Sequence, residues 1–108
     1  MSADVQTAGL ADVAQALARG ERVVDVREPF EYASGHIPGS EHIPMHLVPL
    51  RLQEFPADAP VYLVCASGNR SWQVAAFLAW HGIRAFNVAG GMVAWQAVGN
   101  PVTTGVNP

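Results

Sequence analysis

The chain has one cysteine, Cys65, in the stretch Val61-Tyr62-Leu63-Val64-Cys65-Ala66-Ser67-Gly68-Asn69-Arg70-Ser71. A thiol becomes a nucleophile only as its thiolate, and an unperturbed thiol titrates near ~8.5. Lowering that value by two units needs roughly 2.7 kcal/mol of preferential stabilisation of the anion. A helix N-terminus supplies about 0.3–1 kcal/mol, at most ~2 in a partly buried site. The backbone N–H groups of a tight loop that converge on one point must therefore supply the remainder. Small and turn-prone residues follow Cys65, and Arg70 brings a permanent positive charge. This composition suits an anion, and it predicts that Cys65 is substantially ionised at neutral pH.

The elements around the stretch place the thiol. Val61–Val64 is apolar and rich in β-branched residues, as a buried parallel strand requires. Ser71 reads as the N-cap of a helix over Trp72–His81, and Gly82 supplies its stop. Because that helix is apolar nearly all round, it is expected to lie buried against the sheet. Ala85–Val88 follows as a short strand. Strand, loop, helix and strand form a βαβ unit, whose strands are parallel. Cys65 then sits at the carboxyl edge of an α/β sheet, where ligands bind in such folds.

Composition narrows the function. At 108 residues the chain is expected to be one domain, residues 1–108, with enough core to fold without a disulfide or a metal. Half the residues are hydrophobic, only 14% are charged, and the net charge is −3. All six basic residues are arginines, too few for a nucleic-acid surface against nine carboxylates. A lone cysteine excludes an internal disulfide, a C-x-x-C redox pair and a multi-cysteine zinc site. His36, His42 and His46 lack the spacing of a known metal motif, so no metal and no cofactor is expected. Met1–Asp4 shows no leader pattern and no apolar run reaches membrane-spanning length, giving the expectation of a soluble cytoplasmic protein without membrane partners.

The remaining elements follow from periodicity. Ala8–Arg19 reads as a packing helix with Thr7 as its cap and Gly20 as its stop. Val23–Val26 reads as a buried strand, which Pro29 ends. Within it, Asp25 either satisfies loop N–H groups or takes part in catalysis, while Arg27 and Glu28 read as paired or solvated loop charges. A short helical turn over Phe30–Ser34, a tight turn at His36–Gly39 and a strand at Glu41–Ile43 come next. Leu47–Phe55 reads as a helix with Pro49 in its first turn. Gly90-Gly91 opens a last short helix with Trp95 in the core, and residues 102–108 read as a mobile tail.

Three stretches resemble one family. Asp25–Tyr32 with Gly35–Ser40, the loop Val64–Ser71, and Gly90–Trp95 are similar in order and spacing to the signatures of the rhodanese-like sulfurtransferases. The resemblance implies a three-layer α/β fold with about five mostly parallel strands and helices on both faces. It also implies a catalytic persulfide on Cys65, with Ala66, Ser67, Gly68, Asn69 and Arg70 binding the substrate. The substrates would be a small anionic sulfur donor, thiosulfate or a relative, and a thiophilic acceptor such as cyanide, a small thiol or a protein thiol. A carrier or regulatory module that works only with a protein partner is the alternative. A phosphatase or arsenate reductase is a lesser one, because the related phosphatases resemble C-x5-R whereas Cys65 and Arg70 are separated by four residues.

Within the loop, Arg70 either binds the distal anionic end of the donor or pairs with a nearby carboxylate. Ser67 donates either its hydroxyl or only its backbone. Gly68 is expected at positive φ, Asn69 in the left-handed region, and Ser71 as a cap. Met45 and His46 are placed at the pocket rim.

Overall fold

The computed structural model describes residues 5–108; the stretch Met1–Asp4, read above for the absence of a leader, lies outside the described residues. In chain order the elements are β1 Gln6–Ala8, α1 Leu10–Ala18, β2 Arg22–Asp25, α2 Pro29–Ser34, β3 Glu41–His42, a 3-10 segment Met45–Glu54, β4 Val61–Val64, α3 Asn69–Trp80, β5 Ala85–Val88 and α4 Gly91–Ala97. The strands form one parallel sheet in the order β1-β5-β4-β2-β3.

Strand alternation divides the apolar residues between two cores. Val23, Tyr62, Val64 and Val88 pack with Val13 and Ala16 of α1 and with Met92 and Trp95 of α4 on one face. Val24, Val61, Leu63 and Ala85 pack on the other face with Val48 of the 3-10 segment and with Val74, Ala75 and Leu78 of α3. Cys65 continues the parity of Leu63 and joins this second core. The sheet thus delivers the thiol to the α3 side.

Several expectations need correction. Gln6–Ala8 is an edge strand pairing with β5, so Thr7 is a strand residue and caps nothing. Only one of its three residues is buried, which leaves no periodic signal. Gly9 precedes α1, and its N–H donates to Asp12 Oδ2 at 2.7 Å. The helix expected over Leu47–Phe55 begins at Met45, is 3-10 in character and kinks at Arg51. Pro49 lies inside it and has no N–H to give an α-helical ladder. α3 is not buried all round: Trp72 and Trp80 remain 51% and 52% exposed, because the sheet covers only the side bearing Val74, Ala75 and Leu78.

The tail expectation rested on composition. In the structure Thr103 and His36 exchange two backbone hydrogen bonds of 2.9 Å, and Gly105 N–H donates to Ala33 O. The buried His36 ring stacks on Tyr32 at 3.6 Å, with Nδ1 facing Tyr32 O and Nε2 facing Asn107 O. Thr103 and Asn107 lie about seventy positions from His36 in sequence, beyond the reach of local patterns.

Beyond β5 the chain turns at Gly90-Gly91, where close approach is needed. Gly91 has φ +56, and a Cβ there would stand 2.7 Å from Ala66 O and against Cys65 O. Gly82 has a similar φ of +80 but open space around it. Gly82→Ala should lose about 1–2 kcal/mol from backbone strain alone. Gly91→Ala should lose ~3 kcal/mol or more, because steric overlap adds to the strain. Urea denaturation measures both, and equal losses would show that the close approach is without consequence.

Candidate functional site

The loop between β4 and α3 closes on the sulfur of Cys65. Gly68, at φ +105, reverses the chain and precedes α3. Its N–H donates to Cys65 Sγ at 3.1 Å. The Ser71 N–H donates to the same sulfur at 3.3 Å, and the Ser71 hydroxyl lies 3.2 Å from it. Ser67 turns its backbone N–H toward Sγ as well, while its side chain is exposed.

Two loop expectations change. Asn69 does not occupy the left-handed region, since no residue other than glycine has positive φ among the described residues. It is instead the first residue of α3. Ser71 is not the cap, because Gly68 already makes the turn that a cap would make. Three positions into α3, Ser71 is fully buried and aims its side chain at Cys65 and at Asn87 Oδ1, 2.6 Å away.

The loop carbonyls face the other way. Met92 N–H donates to Cys65 O at 2.8 Å, and Val93 N–H donates to Ala66 O at 3.0 Å. α4 therefore anchors the peptide units that join Cys65 to Ala66 and Ala66 to Ser67, at the start of the loop, and Gly91 permits that contact. Asn87 Nδ2 donates to Gly68 O at 3.2 Å, tying β5 to the loop. Sequence reasoning missed the parts played by Asn87, Gly91, Met92 and Val93. Gly90-Gly91 was the one available signal, and as the opening of a short helix it does not by itself reveal a point of close approach.

Electrostatics favour the anion. Burial pushes the Cys65 thiol up. Hydrogen bonds led by the Ser71 hydroxyl, then the backbone N–H groups of Ser71, Gly68 and Ser67, together outweigh it and hold the thiol below its ordinary range. Arg70 contributes less than its charge suggests. Its Nη1 and Nη2 donate to the two carboxylate oxygens of Glu31 at 2.7 and 2.9 Å, which leaves Nε outside the pair. The Arg70 guanidinium holds Glu31 down at about 2 against the opposing effect of burial, with help from the Glu28 N–H.

Asp25 and Arg27 form a buried ion pair at 2.8 Å, and Arg27 also donates to Gly35 O. The hydrogen-bond partners of the Asp25 carboxylate belong to Arg27, two residues on, which makes the pair a brace between β2 and the end of α2. His42 Nε2 faces Arg27 O, and the His42 ring stacks on the second face of Tyr32. No group of three or more potential metal ligands occurs among the described residues. A cavity of about 210 Å³ lies between the 3-10 segment and α3, lined by Met45, Val48, Pro49, Gln73, Val74 and Phe77. Met45 borders it, whereas His46 is exposed and outside the lining. Among the described residues no helix is long and apolar enough to cross a membrane.

A parallel five-stranded sheet with a cysteine loop of this construction defines a recognisable class, and the rhodanese-like domain model matches residues 10–98. The chain belongs to the rhodanese-like family. It is 44% identical over 93 residues to a protein of Allochromatium vinosum named "Sulfurtransferase", covering 83% of this chain and 87% of that one. It is 36% identical over 99 residues to a Pseudomonas aeruginosa protein named "Thiosulfate sulfurtransferase GlpE", covering 91% and 90%. Among solved structures, a rhodanese-related protein from Thermoplasma volcanium superposes with a TM-score of 0.84 at 32% identity, covering 93% of this chain and 99% of that one.

The Glu31–Arg70 pair has a definite pH signature. A carboxylate whose folded pKa is about 2 rather than 4.5 stabilises the fold fully above the higher value and loses that contribution as pH falls toward the lower. The pair is partly exposed, so its worth at neutral pH is about 1 kcal/mol. Glu31→Gln should lower stability by that amount at pH 7, with the difference from wild type shrinking as pH falls from 5 toward 2. Urea titrations across this range test it, and a constant difference would contradict the pairing.

Proposed function

We propose that this chain is a sulfurtransferase that moves sulfane sulfur from thiosulfate, or a related anionic donor, to a thiophilic acceptor through a persulfide on Cys65. The observation that carries this reading is the convergence of the Gly68 and Ser71 N–H groups and the Ser71 hydroxyl on one buried sulfur. That arrangement stabilises a thiolate without a neighbouring histidine. Attack on the outer sulfur of thiosulfate forms a sulfur–sulfur bond to Sγ. The bond to the sulfite sulfur breaks, and sulfite departs with its electron pair, so no proton has to move.

The second half of the reaction restores the thiolate. Cyanide or a thiolate attacks the outer sulfur and takes it, and the electron pair of the broken bond returns to Sγ. A second internal thiol, which could divert the persulfide into a disulfide, is absent because Cys65 is the one cysteine. The proposed binding residues are Ala66, Ser67, Gly68, Asn69 and Arg70. The N–H groups of Asn69 and Arg70 lie in the first turn of α3, where an α-helix provides no intrahelical acceptor. They are suited to the anionic end of the donor, as is the Nε–H of Arg70. The names of the Allochromatium and Pseudomonas relatives support the same chemistry.

The test is thiosulfate:cyanide sulfur transfer by wild type and by Cys65→Ser, with intact mass recorded after thiosulfate alone. Thiocyanate formation should fall at least roughly a thousandfold in the variant, the scale expected for loss of a nucleophile. One added sulfur should appear on wild type only. An adduct without turnover would replace the enzyme reading by that of a carrier for a protein partner. No adduct would overturn the persulfide and direct attention to phosphate or arsenate.

A further inference from the structure

The Ser71 hydroxyl has two acceptors and one hydrogen. Asn87 Oδ1 lies 2.6 Å from Ser71 Oγ, and Cys65 Sγ lies 3.2 Å away. The amide orientation of Asn87 is fixed by its other end, since Nδ2 donates to the Gly68 carbonyl, which can only accept. Oδ1 therefore faces Ser71 as an acceptor. With a neutral thiol all three groups are satisfied in one direction: S–H donates to Ser71 Oγ, and the Ser71 O–H donates to Asn87 Oδ1. A thiolate has no hydrogen to donate, so the Ser71 hydroxyl must turn toward the sulfur. Asn87 Oδ1, on a residue only 8% exposed, then loses its donor.

We propose that Asn87 is a positioning residue which competes with the Cys65 thiolate for the Ser71 hydroxyl hydrogen and so sets how basic the nucleophile is. This rests on the reading of Cys65 as the reacting sulfur. The competition has a use. Thiolate nucleophilicity falls as thiol pKa falls, and the best attacking thiol titrates near ambient pH. A loop whose N–H groups all favour the anion would otherwise hold a thiolate that is abundant but sluggish. Once a sulfur is loaded, the negative charge moves to the outer atom and Sγ becomes a neutral, weak acceptor. The Ser71 hydrogen then returns to Asn87, which favours the loaded state over the empty one.

The experiment is a double-mutant cycle on the thiol pKa, read from the pH dependence of iodoacetamide alkylation. Cys65 is the one thiol in the chain, so the rate reports it alone. Asn87→Leu is compared with wild type, and again in a Ser71→Ala background. Loss of the bond to Gly68 O acts in both backgrounds and cancels. With Ser71 present, Asn87→Leu should shift the pKa downward by about one unit more than it does in the Ser71→Ala background, tenfold in the thiolate-to-thiol ratio. Equal shifts, or coupling of the opposite sign, would overturn the proposal.

Asn87→Asp gives a second cycle should the leucine variant fail to fold. Its carboxylate accepts more strongly, and the shift with Ser71 present should be the more upward by a similar margin; equal shifts would again overturn the proposal. Alkylation needs no sulfur donor. A chain that transfers no sulfur can still show the coupling, and a chain without the coupling can still transfer sulfur.

Discussion

The sulfur-facing N–H groups of Gly68 and Ser71 belong to a loop whose first two peptide units turn their carbonyls, those of Cys65 and Ala66, toward α4, and buried carbonyls need donors. Met92 and Val93, at the start of α4, are those donors. The chain reaches them through Gly91, whose missing Cβ leaves room for both oxygens. The register of the sheet serves the same end. Leu63 opposite Asn87 sets β5 beside β4 so that Asn87 meets Gly68 and Ser71, and after the strand the chain turns at Gly90-Gly91. The loop is thus held from one side by α3 and from the other by β5 and α4.

Magnitudes identify which effect makes this sulfur acidic. A helix terminus is worth about 0.3–1 kcal/mol and cannot by itself offset the burial of a thiolate. The cation of the loop, Arg70, is neutralised by Glu31. What remains is the set of directed hydrogen bonds from Ser71, Gly68 and Ser67. This explains how a net negative chain with six basic residues can hold an anion in its sheet edge. The stabilisation is local, and it is supplied by the Ser71 hydroxyl and by peptide N–H groups rather than by a charged side chain.

Local pattern revealed the central part of the molecule. Val61–Val64 was legible as a buried strand because four consecutive apolar residues have few other uses, and Gly68 was legible because the turn needs positive φ. Ser71 misled because a serine before an apolar run resembles a cap, and only the position of Gly68 in space shows that the cap was already taken. Asn87 and Gly91 were illegible for a different reason. Their partners lie in a loop some twenty residues earlier, and strand register, not sequence spacing, brings them there. The short β1 and the pairing of Thr103 with His36 belong to the same class of long-range contact.

The account turns on Cys65 being an anion because of the folded loop, so the decisive quantity is its thiol pKa in the native chain against the same chain unfolded in urea. Alkylation rates across pH yield both. The folded value should lie clearly below the unfolded one, which should fall near the ~8.5 of a free thiol. A native value equal to or above the unfolded one would mean that burial prevails over the converging N–H groups, and the loop would then be a structural feature rather than an anion site.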